Sequence, residues 1–238
     1  SPMIFENGFG FFIRNSIMHI EKYIDHTILK ATTTLEDIHR VCNEAIHFHF
    51  AAVCIPPLYV KTAKALLEHT DIKTATVIGF PLGYAAIESK VAEIVLSLVD
   101  GADELDMVAN IAAIKNGDWS FIANELNTIQ PIVKSKEKCI KIIIESGVLT
   151  EEEIIKCCRL YGAAGIDYLK TSTGFAPAGA SVDAVRLMRN HLPAAVRIKA
   201  SGGIKSYGFA LELVAAGADR LGTSSSVEIM KQAGEAMA

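Results

Sequence analysis

Two lysines at the ends of neighbouring strand-like segments carry the chemistry that this sequence could perform. Lys170 ends the run at residues 166–170, and Lys199 lies in the next run, at residues 196–200. A neutral lysine amine attacks a carbonyl carbon to form an imine, whereas the ammonium form does not. Two ammonium groups ~6 Å apart at an effective dielectric constant of ~20 repel each other by about 3 kcal/mol, and burial also disfavours the charged form. The pair therefore predicts covalent amine catalysis by one lysine of lowered pKa.

Charged and apolar residues alternate within four of these segments. Successive side chains of a strand point to opposite faces, and an ionised side chain beneath apolar helices would lose its hydration without compensation. The charged residues should therefore face the lumen of a barrel, where Asp106 is expected to move protons through a water molecule. The predicted inward set is Glu104, Asp106, Lys141, Glu145, Lys170, Arg197 and Lys199. The alternative is a closed set of ion pairs without chemistry, such as Glu104 with Arg197, but buried ion pairs stabilise poorly and a site is favoured.

Two segments of small residues predict an anion site. Residues 200–203 (ASGG) follow the seventh strand-like run, and residues 222–225 (GTSS) follow the eighth and open the last helical pattern. Small residues let backbone N–H groups approach a ligand, and a helix N-terminus favours negative charge. The loops after strands seven and eight commonly bind phosphate in barrel enzymes. An ordinary turn and a helix cap are the alternative for each segment alone, but together they favour a phosphorylated sugar or a similar phosphoester as substrate.

Strand-like and helical segments alternate along the chain, which predicts parallel strands joined by helical crossovers. The predicted strands are residues 23–25, 51–55, 74–80, 103–108, 139–145, 166–170, 196–200 and 219–222. The predicted helices are residues 35–48, 60–69, 88–99, 121–133, 151–161, 181–190 and 209–215, followed by the last helix. Eight units without a linker favour the α/β class, as a single (β/α)8 TIM barrel over residues 21–238 after an extension at residues 1–20. An open doubly wound sheet is the alternative.

Helix ends carry consistent signals. Gly101, Gly165 and Gly217 each stand between an apolar helix and a strand, as is usual just past a helix C-terminus. Thr150 and Glu153 predict a capping box at the start of a helix.

Composition excludes several classes of protein. The chain has 238 residues, of which 50% are hydrophobic and 21% charged, and its net charge is −4. Basic runs are absent, so neither nucleic acid nor an anionic membrane is an expected partner, and no apolar run reaches the ~18 residues of a membrane span. The five cysteines form no CxxC pair, which favours a reducing compartment. We therefore expect a cytoplasmic protein.

Several motifs follow one another in a characteristic order and spacing. They are residues 23–27 (YIDHT), 53–55 (VCI), 77–83 (VIGFPLG), 104–108 (ELDMV), 143–147 (IIESG), 168–174 (YLKTSTG), 199–203 (KASGG) and 222–225 (GTSS). With these motifs the chain resembles the deoxyribose-phosphate aldolase family. Because the motifs run from residue 23 to residue 225, the resemblance covers nearly the whole chain beyond the first ~20 residues.

The resemblance implies a class I, Schiff-base aldolase that needs no metal and no other cofactor. It implies reversible cleavage of 2-deoxy-D-ribose 5-phosphate to D-glyceraldehyde 3-phosphate and acetaldehyde, a step of deoxyribonucleotide catabolism and carbohydrate degradation. Lys170 would form the imine, Lys199 would lower its pKa and Asp106 would take part in proton transfer. The implied phosphate-binding residues are Gly174, Gly202, Gly203, Gly222, Ser224 and Ser225. Asp25 and Thr27 match a first-strand motif that supports the site.

The chain departs from the family pattern at several places. Phe175 stands where some relatives have a phosphate-binding lysine, and the chain ends without the tyrosine that some relatives use in proton transfer. Residues 1–17 precede the usual start, so Met18 is a candidate initiator. The resemblance also makes a homodimer an expected assembly.

Two other functions remain as alternatives. One is a phosphosugar isomerase or metal-assisted hydrolase on the same barrel, and the other is a catalytically silent phosphosugar-binding protein. His47 and His49 are expected to lie at a solvated helix end rather than to bind metal. Cys54, near the end of the second strand, is expected to be a small core residue.

Overall fold

The computed structural model describes residues 19–237 and contains a closed barrel of eight parallel strands. Each strand pairs with the next along the chain, and the eighth pairs with the first. The strands are β1 (Ile24–Thr27), β2 (Ala52–Ile55), β3 (Lys73–Ile78), β4 (Glu104–Val108), β5 (Cys139–Ile143), β6 (Tyr168–Lys170), β7 (Arg197–Ser201) and β8 (Arg220–Thr223). The predicted (β/α)8 barrel is confirmed, and the open doubly wound sheet is wrong because no edge is left unpaired among these strands.

Helices cover the outside of the barrel. The described residues contain α1 (Leu35–Phe48), α2 (Val60–Leu66), α3 (Ile87–Val99), α4 (Ile111–Lys115), α5 (Trp119–Lys134), α6 (Glu151–Ala164), α7 (Val182–His191), α8 (Tyr207–Ala215) and α9 (Ser226–Met237). Three single-turn 3-10 helices lie at Ile20–Tyr23, Pro57–Tyr59 and Ser146–Val148. The short helix α4 has no counterpart among the predicted helices, since five residues are too few to establish a helical period.

The predicted helix-end signals are confirmed. The Thr150 hydroxyl accepts the backbone N–H of Glu153, whose carboxylate accepts the N–H of Thr150 in return. Gly165 caps α6 in the left-handed conformation, with φ 64°. Gly101 and Gly217 follow the caps of α3 and α8 with φ of 100° and 114°, a region that disfavours residues with a side chain.

The outer faces of the strands form the main core with the helices. Leu105 and Met107 of β4, Ile142 of β5 and Ile198 of β7 are completely buried in this layer. These residues alternate with the charged residues of the same strands, so the predicted parity is confirmed at these positions. The charged residues of these strands therefore face the lumen.

Residues 1–18, which make up most of the predicted extension, lie outside the described residues. Across residues 19–237, no helix combines the length and the apolar character needed to cross a membrane.

Candidate active site

Both predicted catalytic lysines meet Asp106 inside the barrel. Lys170 Nζ donates to Asp106 Oδ2 at 2.7 Å, and Lys199 Nζ donates to the same oxygen at 2.7 Å. The lysines end up side by side because Lys170 of β6 is in register with Lys199 of β7. Asp106 and Lys199 are fully buried, and Lys170 is only 3% exposed. The structure thus brings the three predicted catalytic residues together around one oxygen atom.

A second group of charges contacts Asp106 and Lys199 in the lumen. Asp25 accepts hydrogen bonds from Lys199 and from Arg220, and Arg220 also contacts Glu104. Lys141 Nζ contacts Glu104 at 2.5 Å and Asp106 at 2.8 Å. The lumen therefore holds four cationic side chains, Lys141, Lys170, Lys199 and Arg220, with three carboxylates, Asp25, Glu104 and Asp106. The cationic side chains outnumber the carboxylates by one, which favours the neutral form of one lysine.

Two members of the predicted inward set lie outside the network of ion pairs. Arg197 shares the inward face of β7 with Lys199, as predicted, but it is exposed at the start of the strand, and its guanidinium carbon lies 4.1 Å from the ring centre of Tyr168. The predicted pair of Glu104 with Arg197 is therefore wrong, and Arg220 takes that role. Glu145 lies beyond the end of β5 at Ile143, in the left-handed conformation rather than in the strand. Its carboxylate contacts Thr173 instead of the charges of the lumen.

Sequence reasoning overlooked Arg220, although the signal was available. Arg220 and Gly222 alternate with Leu221 in β8, and Leu221 belongs to the outer core. The parity argument applied to β4 through β7 would have placed Arg220 in the lumen had it been extended to this strand.

The pKa values of the two lysines move in opposite directions. Burial and the neighbouring Lys199 cation lower the pKa of Lys170 below 10.5, against the attraction of Asp106. Burial also acts to lower the pKa of Lys199, but Asp106 and Asp25 outweigh it, and that pKa is raised. Although burial alone would raise the pKa of Asp106, Lys141, Lys170 and Lys199 hold it well below 3.8. Lys170 is accordingly the amine that becomes neutral most easily, beside a permanent cation and a permanent carboxylate.

Lys170 also lines a cavity of about 280 Å³ at the carboxyl ends of the strands. All six residues predicted around the phosphate line the same cavity: Gly174, Gly202, Gly203, Gly222, Ser224 and Ser225. Thr27 contributes to the lining too, and its hydroxyl donates to the carbonyl of Asp25 at 2.8 Å. The cavity lining therefore combines an amine with a set of small residues, of which Ser224 and Ser225 directly precede α9.

Glycines allow the strands and loops around the cavity to approach closely. A Cβ atom on Gly222 would lie 3.0 Å from Lys199 Cε and 3.0 Å from Ser201 Cβ, so its absence makes room for the Lys199 side chain. Gly202 has φ 88°, and a Cβ there would lie 3.0 Å from the Cα of Gly179. Serine or alanine at these positions would displace the neighbouring groups.

The cavity lining includes two cationic side chains that the sequence reasoning did not assign, Lys30 and Lys205. Lys205, in the loop after β7, lines the cavity near Gly202 and Gly203. Phe175 is 58% exposed at the mouth, where its ring meets Phe80 edge-on at a centroid distance of 5.2 Å. Phe175, which stands where some relatives have a lysine, carries no charge, but Lys205 supplies a positive charge to the lining of the same cavity.

A small apolar cluster occupies the lumen beside the charges. It is formed by Ala52, Cys54, Ala75 and Val77, with Leu29 and Phe80 packed against it. Cys54 is completely buried there, and burial raises the pKa of its thiol. It lies in a core, as expected, but in the small core of the lumen rather than under the helices.

Within residues 19–237, no three His, Cys, Asp or Glu side chains are grouped so as to hold a metal ion. His47 and His49 lie at the C-terminal end of α1, where His49 is the cap residue.

Comparison with known proteins places the chain among aldolases. The model of the DeoC/LacD family of aldolases matches residues 19–228. A deoxyribose-phosphate aldolase from Thermococcus gammatolerans is 50% identical over 218 residues, which cover 91% of this chain and 97% of that protein. A deoxyribose-phosphate aldolase from Clostridioides difficile is 48% identical over 213 residues, or 90% of this chain and 96% of that protein. The tetrameric deoxyribose phosphate aldolase of Aeropyrum pernix superposes with a TM-score of 0.85 at 31% identity, covering 94% of both chains.

Proposed function

The chain belongs to the DeoC/LacD family of aldolases, and from this premise we propose that it reversibly cleaves 2-deoxy-D-ribose 5-phosphate to D-glyceraldehyde 3-phosphate and acetaldehyde. Relatives that are 44–50% identical carry the name of this activity. The observation that supports the proposal best is the shared Asp106 oxygen, which holds Lys170 and Lys199 next to a cavity lined by the residues suited to phosphate.

Lys170 is the nucleophile in this proposal. Its neutral Nζ attacks C1 of the open-chain sugar, and the resulting carbinolamine loses water to form a protonated imine. Burial and the adjacent Lys199 cation lower the pKa of Lys170, which increases the fraction of neutral amine at a given pH. Lys199 keeps its own proton because Asp106 and Asp25 raise its pKa.

The imine then accepts the electron pair of the bond that breaks. The C3 hydroxyl loses its proton to a water molecule at Asp106, the C2–C3 bond breaks, and glyceraldehyde 3-phosphate leaves with an aldehyde at the former C3. The electron pair forms an enamine on Lys170, which takes a proton at C2 to give the imine of acetaldehyde. Hydrolysis with one water molecule releases acetaldehyde and restores the amine. Asp106 remains a carboxylate throughout, consistent with its strongly lowered pKa.

The cavity also binds the phosphate in this proposal. The space is lined by small residues, and α9 begins directly after it at Ser226; the small residues are Gly174, Gly202, Gly203, Gly222, Ser224 and Ser225. Helix N-termini attract anions through their free N–H groups and their dipole. Lys205 adds a positive charge to the same lining. These contacts orient the sugar so that C1 meets Lys170.

Asp25 and Thr27 support the lysines from β1. Asp25 accepts from both Lys199 and Arg220, and Thr27 donates to the Asp25 carbonyl. Through these contacts Asp25 fixes Lys199 as a cation and does not itself touch the cavity.

The decisive experiment measures cleavage of 2-deoxyribose 5-phosphate in the presence of EDTA, with enzymatic detection of glyceraldehyde 3-phosphate. We expect turnover that is indifferent to the chelator, and a covalent adduct on Lys170 when borohydride is added with acetaldehyde. Lys170→Ala should abolish both signals, whereas Lys156→Ala, which removes an amine that stacks on Trp119 outside the site, should leave both intact. Full activity of Lys170→Ala would overturn the assignment.

The same experiment separates the alternative functions. Loss of activity with EDTA would favour a metal-assisted isomerase or hydrolase. Thermal stabilisation by 2-deoxyribose 5-phosphate without turnover would favour a silent binding protein. The intact set of Lys170, Lys199 and Asp106 favours the aldolase over both.

We further propose that the enzyme works in the cytoplasm as a homodimer. The five cysteines are free, as befits a reducing compartment. On the outer side of α3, Leu96 is 64% exposed and Val99 is 78% exposed, with Val95 on the same face. Apolar side chains grouped in this way commonly mark a protein interface. Light scattering should give twice the chain mass, and Val99→Lys should lower it.

A further inference from the structure

Glu145 adopts a strained backbone conformation at the mouth of the barrel. Its φ is 54° and its ψ is 57°, in the left-handed region that residues with a Cβ atom seldom adopt. Two other non-glycine residues within 19–237 share a positive φ, His49 and Glu137, but both are exposed on the surface. Glu145 is only 6% exposed, next to the catalytic strands. Strain of this kind persists where the surroundings enforce it, and it is concentrated at functional sites.

The strained backbone directs the Glu145 carboxylate at Thr173. The backbone N–H of Thr173 donates to both carboxylate oxygens at 3.3 Å, and the Thr173 hydroxyl donates to Oε2. The same hydroxyl oxygen accepts the backbone N–H of Phe175 at 3.0 Å. One carboxylate therefore holds Thr173 directly and Phe175 through the Thr173 hydroxyl.

This contact begins where the backbone pairing of the strands ends. Ile144 N–H donates to the Lys170 carbonyl at 3.1 Å, and Ser146 N–H donates to the Thr171 carbonyl at 2.7 Å. On the other side, the Ser201 hydroxyl donates to the Ser172 carbonyl at 2.5 Å. From residue 173 onwards, the hydrogen bonds that hold residues 173–175 in the described chain come from Glu145 and from the segment itself. Lys170 is held by β6 and by Asp106, so these contacts hold the loop rather than the nucleophile; the Lys170 charge is near enough to oppose the rise in the pKa of Glu145 that burial causes.

Thr173, Gly174 and Phe175 line the cavity that contains Lys170, whereas Glu145 does not. Gly174 has φ 87°, and a Cβ on it would lie 3.8 Å from the Cα of Gly202. The two loops around the proposed phosphate position thus meet at these glycines, and any movement of residues 173–175 would separate them.

We propose that Glu145 is a positioning residue that gives the enzyme its preference for a phosphorylated substrate. It holds Thr173 and Phe175 by hydrogen bonds and so keeps Gly174 between them in the cavity lining, close to Gly202. This inference rests on the proposed function, because it assumes that the phosphate binds at that part of the cavity. This role also explains why Glu145, just past β5, has a strained backbone and hydrogen-bonds to Thr173 rather than to the charged side chains of the lumen.

The test compares two substrates that differ only in the phosphate, 2-deoxyribose 5-phosphate and 2-deoxyribose. Glu145→Gln leaves one acceptor for the two donors of Thr173, and Thr173→Val removes the hydroxyl. We expect each variant to raise KM for the phosphorylated substrate by about 10-fold, the effect of losing one buried hydrogen bond. We expect kcat on that substrate, and kcat/KM on 2-deoxyribose, to stay within about 3-fold of the wild type. Inorganic phosphate should inhibit 2-deoxyribose cleavage correspondingly less.

Two variants serve as matched controls. Thr173→Ser keeps both donors and should behave like the wild type. Glu137→Gln changes another glutamate of positive φ that is exposed and distant from the cavity, and it should change neither KM nor kcat. In the double variant of Glu145→Gln and Thr173→Val, the rise in KM should not exceed that of the larger single variant, because both act through one contact.

Two results would overturn the proposal. One is an unchanged KM for the phosphorylated substrate in folded Glu145→Gln and Thr173→Val; since Thr173→Val removes no charge, it remains informative if Glu145→Gln fails to fold. The other is an equal loss on both substrates, which would indicate a general structural role. A wild-type enzyme that does not cleave 2-deoxyribose 5-phosphate would instead overturn the proposed function itself. The activity of the wild-type enzyme is therefore measured before that of any variant.

Discussion

Lys170 Nζ and Lys199 Nζ share one acceptor, the Oδ2 atom of Asp106, and both lie 2.7 Å from it. They differ in what else surrounds them. Lys199 has a second carboxylate partner in Asp25, whereas Lys170 faces the cavity. Because burial acts on both amines, the extra carboxylate decides which one stays charged. In the proposed mechanism, Lys199 is therefore the cation of the pair and Lys170 is the neutral nucleophile.

This division predicts a pH effect for Lys199→Leu. Only neutral Lys170 attacks, so kcat/KM for 2-deoxyribose 5-phosphate should rise with pH through the pKa of Lys170. Removal of the Lys199 charge raises the pKa of Lys170, and the rising limb should therefore move to higher pH. A pH–rate profile from about pH 5 to about pH 10 measures this shift. Lys199→Arg keeps the charge and should keep the limb close to its original position, and an unmoved limb in Lys199→Leu would refute the explanation.

Asp106→Asn should separate imine formation from bond cleavage. The substitution removes an attraction that raises the pKa of Lys170, so neutral amine should remain available for trapping by borohydride and acetaldehyde. Proton transfer at the C3 hydroxyl loses its carboxylate, and kcat for cleavage should fall by about 10²-fold or more. Mass spectrometry of the trapped adduct and the coupled assay measure the two effects. Asp183→Asn changes an exposed carboxylate and should affect neither; an equal loss of trapping and turnover in Asp106→Asn would contradict the role in proton transfer.

Gly222→Ala tests whether Lys199 needs the space that this glycine leaves. The added Cβ would lie 3.0 Å from Lys199 Cε, which must then move away from Asp106 or Asp25. We expect kcat to fall by about 10-fold through this displacement, with the fold retained. Gly208→Ala is the matched control, because nothing lies within 4 Å of the added atom in α8. It should keep kcat and raise stability by about 0.5–1 kcal/mol.

Local patterns in the sequence predicted most of the architecture around these residues. The eight strands, their order and the inward parity of Asp106, Lys170 and Lys199 follow from alternation within short segments. The resemblance added Asp25 as a supporting residue, but the contacts that Asp25 makes across the barrel depend on strand register and closure. No local pattern determines those relationships, so its pairing with Arg220 was not predicted.

Glu145 marks a second limit of prediction from sequence. The apolar run before it continues the strand pattern, and nothing in residue type announces that a glutamate will take a positive φ. The turn arises from tertiary contacts with Thr173, which lies 28 positions further along the chain. The presence of the proposed phosphate loops in the cavity lining was easier to predict, because their glycines and serines are residue types that suit tight turns and helix starts.

His26 predicts how stability depends on pH. Its ring lies between α1 and α9, contacts Glu44 at 2.6 Å and Ser226 at 2.9 Å, and packs on Phe50, with Arg40 as the nearby cation. Burial lowers the pKa of His26 below 6.5 even though Glu44 opposes the shift. The unfolded chain therefore binds a proton at higher pH than the folded one, and stability should fall as pH drops from about 6.5 through the folded pKa. Urea denaturation at several pH values measures this slope, which should be shallower in His26→Asn; an identical slope would exclude His26 as its source.

Lys90 and Glu125 predict a stability effect that is independent of catalysis. Lys90 Nζ donates to Glu125 Oε1 at 2.5 Å and to the Val108 carbonyl at 2.8 Å, and both side chains are almost completely buried between α3 and α5. Removing one partner leaves an uncompensated buried charge, so Lys90→Met and Glu125→Leu should each cost about 3–5 kcal/mol of unfolding free energy. The double variant should recover most of that loss, because two packed apolar side chains replace the pair without a desolvated charge.

Urea denaturation of the two single variants and the double variant gives the coupling between Lys90 and Glu125 directly. Asp183→Asn serves as control, because its pair with Arg186 is exposed and should contribute less than about 1 kcal/mol. The carbonyl of Val108 would lose its Lys90 donor in the double variant, so recovery should be incomplete by about 1 kcal/mol. Additive losses in the double variant would mean that the two side chains stabilise the fold separately, through packing rather than through their mutual charge.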